Sequence, residues 1–357
     1  MNDPRGPGLA AHRHDLIRNE ARLRGFVKVA ELARRLGVSE VTVRRDITTL
    51  VDAGELERVH GGATLPAGGA GSRRPLATLG MILPASRYYY RSVVAGAEVA
   101  AARAGMRLVL AVSRYDVDEE ARLVERMLRA GADALLVATA RPPQDEPPRW
   151  LASARVPVVL VERWWDGPDV EYARTDHAAG ARLAVEHLAD LGHRTVGLAV
   201  RTSTATAPWL ADGFHDATDR RGIATAGFPP VGLATEADGI AARDRRLADL
   251  LRRCAETGTR GLLVHADDDA LALLGTAADL GVRVPEDLSI VAYDDEMSAL
   301  APVPLTAVAP PKHDVGAAAV DLAVRRLSRG PSPATQQVTL LPRLVVRAST
   351  SAPTTPA

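Results

Sequence analysis

Apolar positions recur along this chain in two different rhythms. Up to about residue 65 they fall three and four apart, the spacing of helices with one buried stripe. Ala10–Arg24 predicts a first helix with Leu16, Ile17 and Leu23 turned inward, and Ala30–Leu36 a second, shorter one. Gly37-Val38 reads as a tight turn, and Ser39–Asp52 as a third helix with Val43, Ile47 and Leu50 as its buried stripe. From Leu76 onward the rhythm changes to short apolar runs separated by amphipathic segments. Leu79–Leu83, Leu108–Val112, Ala134–Ala138, Val156–Val161, Thr195–Val200, Gly261–Val264 and Leu288–Ala292 predict strands. Ser92–Ala104, Glu119–Arg129, Ala178–Leu191, Ala241–Ala255 and Asp269–Leu280 predict the helices among them. Such alternation builds a parallel sheet covered by helices on both faces. The strands are too many for one small sheet. Two doubly wound α/β lobes are expected, with a ligand cleft between them at the C-terminal strand ends.

The third helix turns Glu40, Val41, Thr42, Arg44, Arg45 and Thr48 away from its stripe. Ser39 precedes it as an N-cap, its hydroxyl placed to accept an otherwise unpaired N–H of the first turn. Adjacent arginines beside threonines, early on a helix, suit a major groove, where guanidinium forks reach guanine edges or phosphates. Leu56–Ala63 follows as a strand–turn ribbon, a wing whose Arg58, His60 and Gly61-Gly62 would bring backbone N–H groups close to phosphate. A solvated basic helix is the alternative for a bare arginine pair. Here turn, cap, stripe and wing stand in register. Leu65–Pro75 is a linker by composition, rich in Gly, Pro and Arg. The expected division is therefore a winged helix-turn-helix domain at 1–65, a flexible linker at 66–75, a two-lobed effector domain at 76–349 and a disordered tail at 350–357.

Composition adds bounds. At 357 residues the chain exceeds one ordinary core, and 46% hydrophobic with 25% charged residues is an ordinary globular mixture. Net charge is zero overall, yet residues 1–75 carry 13 basic against 9 acidic side chains, a local excess of four. So mild an excess implies a few placed cations and two heads acting together on DNA. Cys254 is the single cysteine, so no intramolecular disulfide forms. No apolar run approaches the ~20 residues of a membrane span, and the N-terminus lacks the apolar core of a signal peptide. A cytoplasmic protein without membrane contact is expected.

The run Val38-Ser39, Thr42-Val43-Arg44-Arg45-Asp46, Leu50, Gly54 and Arg58–Ala63 resembles the DNA-binding head of the DeoR family of bacterial regulators. It covers about one-sixth of the chain. Leu76–Ser349 resembles the effector domain of LacI/GalR repressors, which shares the fold of periplasmic sugar-binding proteins. The matching blocks include Gly80–Pro84, Gly131–Leu136, Val156–Val159, Asp176–Arg194, Gly213-Phe214, Val284–Val291, Tyr293–Asp295, Pro304–Thr306 and Arg347–Thr350. Each half departs from its family. The sugar-phosphate domain usual behind DeoR-type heads is absent, and the Gly-rich linker lacks the pattern of the hinge helix that LacI-type proteins place in the minor groove.

The resemblance directs attention to the cleft. A sugar site needs aromatic faces for C–H surfaces and charged or amide groups for hydroxyl pairs. Tyr88, Tyr89 and Tyr90 follow the first strand, and Tyr88 and Tyr89 are taken as effector contacts; packing of one on the helix with the others solvated is the alternative. Arg163 would bind hydroxyls or a carboxylate, or else pair with Asp176. Trp164 and Trp165 would wall the cleft or pack between lobes. Asp176, Asp267 and Asp294 are acidic candidates, and Asp295 is expected to cap the next segment. Trp209 is a stacking candidate. Beside it Leu210 stands where the family often has an arginine, and Ala266 where it often has an asparagine, so an uncommon pose or a glycoside is expected.

His265–Asp269 is the densest acidic cluster, but aspartates at a helix start serve the N-terminal amides without metal. His12 and His14 lack a third ligand. No metal or cofactor is assigned, and no nucleophile elbow, Walker loop or dinucleotide fingerprint argues for an enzyme. The expected function is a ligand-responsive transcriptional repressor of a carbohydrate uptake or breakdown operon. Its expected partners are double-stranded operator DNA, a small effector and a second copy paired through the sensor. The alternatives are a co-repressed regulator sensing a phosphorylated sugar or purine and, more remotely, a transport-type sugar-binding protein.

Overall fold

The computed structural model describes residues 13–18, 20–21, 25–53, 55–59, 61–64, 77–86, 88–141, 145–165, 170–202, 204–225, 231–233, 239–329 and 334–353. The expected linker, His12, Leu23 and His60 lie outside the described residues.

The N-terminal head contains helix α1 (helical at residues 13–18 and 20–21), β1 (Phe26–Lys28), α2 (Val29–Leu36), α3 (Glu40–Asp52), β2 (Glu57–Val59) and β3 (Gly62–Thr64). Gly37 ends α2 in the left-handed region at φ 64°. Ser39 then caps α3 by accepting the Thr42 N–H at 3.1 Å. The expected stripe is buried: Val43, Ile47 and Leu50 pack with Ile17, Val27, Leu32 and Leu56. The wing is a three-stranded antiparallel sheet in the order β1-β3-β2, so the ribbon gains a strand the sequence pattern did not mark. Its tight pairing explains Gly62. A Cβ there would lie 1.7 Å from the Val27 carbonyl oxygen, so this glycine serves strand packing rather than the expected approach to phosphate.

The body holds two parallel-sheet lobes. The first uses β4 (Thr78–Leu83), α4 (Tyr89–Arg103), β5 (Arg107–Val112), α5 (Val117–Arg129), β6 (Ala134–Val137), α6 (Arg149–Ser153), β7 (Val158–Val161) and β8 (Glu171–Thr175). The second uses α7 (His177–Asp190), β9 (Val196–Val200), α8 (Ala207–Arg221), β10 (Val231–Gly232), α9 (Ile240–Thr257), β11 (Gly261–His265), α10 (Asp267–Asp279), β12 (Ser289–Tyr293) and β13 (Thr306–Ala309). The chain then returns: α11 (Lys312–Arg329) and β14 (Gln337–Leu340) join the first lobe, and β15 (Arg343–Val345) the second. The sheet orders are β14-β8-β7-β6-β4-β5 and β10-β9-β11-β12-β13-β15. Three crossings therefore connect the lobes, after β8, after β13 and after β14.

Particular residues fix these crossings. Buried Glu171 accepts from Arg326 at 2.8 Å and also pairs with Arg325, which binds α11 to β8. Helices α4 and α11 approach so closely that a Cβ on Gly96 would lie 1.8 Å from the His313 carbonyl oxygen, and one on Gly316 1.9 Å from that of Val93. The ordered chain also runs past the boundary expected at 349. Thr350 lies 2.9 Å from His187 Nε2, and the Ser351 N–H donates to Ser289 Oγ at 3.1 Å, pinning this segment to the second lobe.

Candidate functional sites: an exposed helix and an inter-lobe cleft

On the head, helix α3 presents Glu40, Arg44 and Arg45 to solvent, with Thr42 and Thr48 half-buried. Val41 is 75% exposed, an apolar surface of the kind that meets a thymine methyl group. Arg44 pairs with Glu40 at 2.9 Å across one helical turn, whereas Arg45 makes no ion pair among the described residues. Thr48 donates to the Arg44 carbonyl at 2.8 Å and accepts from Arg58 at 2.5 Å. That contact fixes the wing arginine beside the helix. Gly61 takes φ 81° at the wing turn, and its carbonyl accepts the Val29 N–H at 3.1 Å. Asp46, read only as part of a motif, is buried and holds Arg13 Nε at 2.8 Å and His14 Nε2 at 3.1 Å. It anchors α1 under α3, so the inner face of the exposed helix is electrostatically tied down.

In the body, the parallel strands of both lobes point their C-terminal ends at one another. Strand ends are where loops can leave the sheet freely and carry ligand-facing groups. From the first lobe come Tyr88–Tyr90 after β4, Glu162–Trp164 after β7, and Arg174 and Thr175 at the end of β8. From the second come Trp209 on α8, His265 ending β11, and Tyr293–Glu296 after β12. A narrow cleft, partly open to solvent, is lined by Glu162, Arg163, Trp164, Arg174, Thr175, His177, Thr206 and Trp209.

A polar relay forms its floor. Tyr89 Oη donates to Glu162 Oε1 at 2.5 Å, and Thr175 donates to the same carboxylate through its N–H at 2.9 Å and its hydroxyl at 2.8 Å. His177 Nε2 lies 3.5 Å from Glu162 Oε2. With the ring proton on that nitrogen, Nδ1 accepts from Tyr293 Oη at 3.0 Å. Burial opposes the charge on Glu162, but the His177, Thr175 and Tyr89 donors outweigh it and hold the carboxyl below its usual range. Tyr293 is fully buried and lies edge-on to His265, which burial drives down to about 3 and so keeps neutral.

The expected cleft residues take different roles. Tyr89 enters the relay, while Tyr88 is 51% exposed and Tyr90 is buried. Arg163 does not pair with Asp176; it donates to the carbonyls of Thr139 at 2.9 Å and Glu162 at 2.7 Å. Asp176 caps α7 by accepting the Ala179 N–H at 2.8 Å. Asp267 is fully engaged, accepting from the N–H groups of Glu296 and Met297 and from Ser298 Oγ at 2.5, 2.7 and 2.7 Å. It shapes the loop beside the cleft rather than facing a ligand. Asp295 does not cap; it pairs with Arg347 at 2.7 Å. Asp268 and Asp269 pair with Arg201 rather than serving the helix amides alone. Trp165 packs in the first lobe, its Nε1 donating to the Asp145 carbonyl at 3.0 Å, and Leu210 is buried in the second-lobe core.

Asp294 stays available. It is half-buried in the left-handed region at φ 97°, and its side chain has no hydrogen bond among the described residues. Burial lifts its carboxyl to about 7; Lys312 opposes this rise, and Asp267 and Glu296 add to it. Lys312, not foreseen as a site residue, donates to the Asp294 carbonyl, pairs with Glu296 at 2.5 Å and lies 5.2 Å from the Tyr89 ring centre. Its signal in the sequence is faint: one of two lysines in an arginine-rich chain, after Pro310-Pro311.

The two sites define a class: a DNA-binding head joined to a two-lobed, ligand-binding body. Comparison with known proteins agrees. The DeoR-like helix-turn-helix domain matches residues 13–67, and the periplasmic binding protein-like domain matches residues 185–350. The chain is 29% identical over 342 residues to an arabinose metabolism transcriptional repressor of Halalkalibacterium halodurans, covering 90% of this chain and 89% of the relative. A LacI family transcriptional regulator from Mycobacterium smegmatis shares its fold at TM-score 0.63 with 27% identity, covering 77% of this chain and all of that one (100%). A transcriptional regulator CelR–cellobiose complex superposes at TM-score 0.66 with 22% identity, over 90% of this chain and 99% of that one. The chain therefore joins a DeoR-like helix-turn-helix domain to a periplasmic binding protein-like domain.

No helix among the described residues is long and apolar enough to cross a membrane.

Proposed function

We propose that this protein is a ligand-responsive transcriptional repressor of a carbohydrate uptake or breakdown operon, acting in the cytoplasm by binding rather than by catalysis. The observation that carries the reading is one chain holding both a solvent-facing Arg44/Arg45 helix and an inter-lobe cleft lined by Arg163, Arg174 and Trp209, with the Asp294 side chain unbonded among the described residues on the loop after β12. Similarity to an arabinose metabolism repressor over 90% of the chain supports it. Ser39, Glu40, Thr42, Arg44, Arg45 and Thr48 would meet operator DNA from α3, and Arg58, His60 and Gly61 from the wing. Tyr89, Arg163, Trp209 and Asp294 would meet the effector, with Tyr88 at the rim, Asp176 holding the crossing and Asp267 the loop.

A second copy is the proposed partner of the sensor. Edge strand β5 leaves Leu110 exposed, and Val99, Tyr115 and Val117 of the same lobe are exposed as well. A mildly cationic head needs a twin to hold a two-part operator. Effector entering the cleft would close the lobes, shift this interface and respace the heads, so DNA and effector would change each other's affinity by the same factor.

Fluorescence anisotropy of the chain's own upstream DNA, titrated with pentoses, hexoses and their glycosides, tests the reading. Release of DNA by a sugar supports it. Release or tightening only by a phosphate or purine would replace the effector class, and failure to bind DNA at all would remove the regulator.

A further inference from the structure

Arg174 was not among the expected site residues, yet it occupies the most aromatic position in the cleft. Its guanidinium carbon lies 5.1 Å from the ring centre of Trp209, 5.6 Å from Trp164 and 5.5 Å from Tyr172. Trp164 meets Trp209 edge to face at 5.0 Å, so the cage spans both lobes. Inside it the Arg174 Nε is buried with no hydrogen-bond partner, and no carboxylate among the described residues pairs with the guanidinium.

Three ring faces compensate only part of the charge on half-buried Arg174, because a quadrupole attracts a cation far less than an anion does. The other charges in the cleft do not supply the balance. Glu162 already accepts from Tyr89 and Thr175 and faces His177. Arg163 adds a second guanidinium, whose hydrogen bonds go to backbone carbonyls. Beside Trp209 the cleft therefore holds two guanidiniums, Arg163 and Arg174, against one carboxylate, the already engaged Glu162, while Asp294 belongs to the loop after β12.

We propose that Arg174 determines effector specificity, selecting a sugar acid whose carboxylate meets the guanidinium edge between Trp164 and Trp209. This rests on the reading of the cleft as the effector site. A planar guanidinium matches a carboxylate with two parallel N–H···O bonds, and each such bond is charge-assisted. The same fork also accepts phosphate, so the matched phosphates in the test separate the two anions. The sugar's C–H faces would lie against the tryptophans, and hydroxyls further along would donate to Asp294.

The test uses the full chain and matched sets: an aldose, its uronic and aldonic acids, and its phosphate. Glucose, galactose and arabinose would each head a set, with binding read by calorimetry and tryptophan fluorescence. An acid binding at least tenfold tighter than its parent aldose, with the ratio collapsing toward one in Arg174→Gln and partly retained in Arg174→Lys, supports the proposal. Should Arg174→Gln fail to fold by circular dichroism, the Arg174→Lys ratio decides alone. An aldose preferred over its acid, unchanged in the Arg174 variants but weakened in Asp294→Asn, overturns the role of Arg174 and keeps the cleft. Preference for the phosphate overturns the carboxylate assignment. Binding of no member in any set overturns both this proposal and the sugar-sensing reading beneath it.

Discussion

Tyr293 Oη lies 3.0 Å from His177 Nδ1, and this contact joins the end of β12 to the start of α7, just past the β8 crossing. Through His177 the hydroxyl is one step from Glu162 and thus from the first lobe. Glu162, Thr175, His177 and Tyr293 are buried and Tyr89 half-buried, so the polar atoms depend on their partners. Tyr293→Phe leaves His177 Nδ1 without its donor, a loss of about 1–3 kcal/mol. Thermal unfolding checks this, with a drop in midpoint expected; an unchanged midpoint would mean the relay contributes nothing to holding the lobes.

Arg44→Ala combined with Arg45→Ala is expected to abolish operator binding and leave the melting of the sensor unchanged. Both side chains are exposed on α3, and neither supports the head core. Each lost phosphate contact also flattens the salt dependence of binding by about one unit of slope. Anisotropy titrations at several salt concentrations read both effects. Retained binding would exclude α3 as the recognition helix.

The carboxyl of Asp294 gives a signed pH dependence. Its folded value is about 7 against an ordinary 3.8. Between those values the folded protein keeps a proton that the unfolded chain has released. Stability contributed by this group therefore falls as pH rises from about 4 to about 7. Asp294→Asn removes that slope and raises stability at pH 8 by on the order of 2–4 kcal/mol, with no gain near pH 3.5. Denaturant melts across this range test it. An effector whose hydroxyls donate to the ionised carboxylate should conversely bind tighter above pH 7 than below.

Gly316 faces the Val93 carbonyl so closely that an added Cβ would lie 1.9 Å from its oxygen. Gly316→Ala must push α11 from α4, at a cost of about 1–3 kcal/mol or more. Gly275→Ala, where a Cβ meets nothing within 4 Å, is the matched control and should be neutral or slightly stabilising. Equal midpoints for the two variants would argue against the tight α4–α11 contact.

Much of this architecture was legible in local pattern. The stripe of Val43, Ile47 and Leu50, the Ser39 cap and the Gly37 turn are all short-range features, set by spacing within a few residues. Apolar runs such as Leu79–Leu83 marked buried parallel strands for the same reason. Strands β8, β13, β14 and β15 were missed because they are short or alternate polar with apolar, and their pairing depends on chain returning from far away. The site was harder still. Asp267, Asp176 and Asp295 look alike in sequence as acids at segment ends, yet one shapes a loop, one caps a helix and one holds Arg347.

Local pattern alone established the kind of molecule: a winged head, two doubly wound lobes, and the exposed arginines of α3. Periodicity and turn chemistry act between near neighbours, so they survive without a fold. Which charges are free was settled by long-range packing. Arg174 and Lys312 gained their positions because strands ending in opposite lobes converge on one cleft. Whether Asp294 or Asp267 remains open depends on donors some 30 residues away, or in the other lobe, and hydrogen-bond saturation over such separations leaves no local mark in the chain.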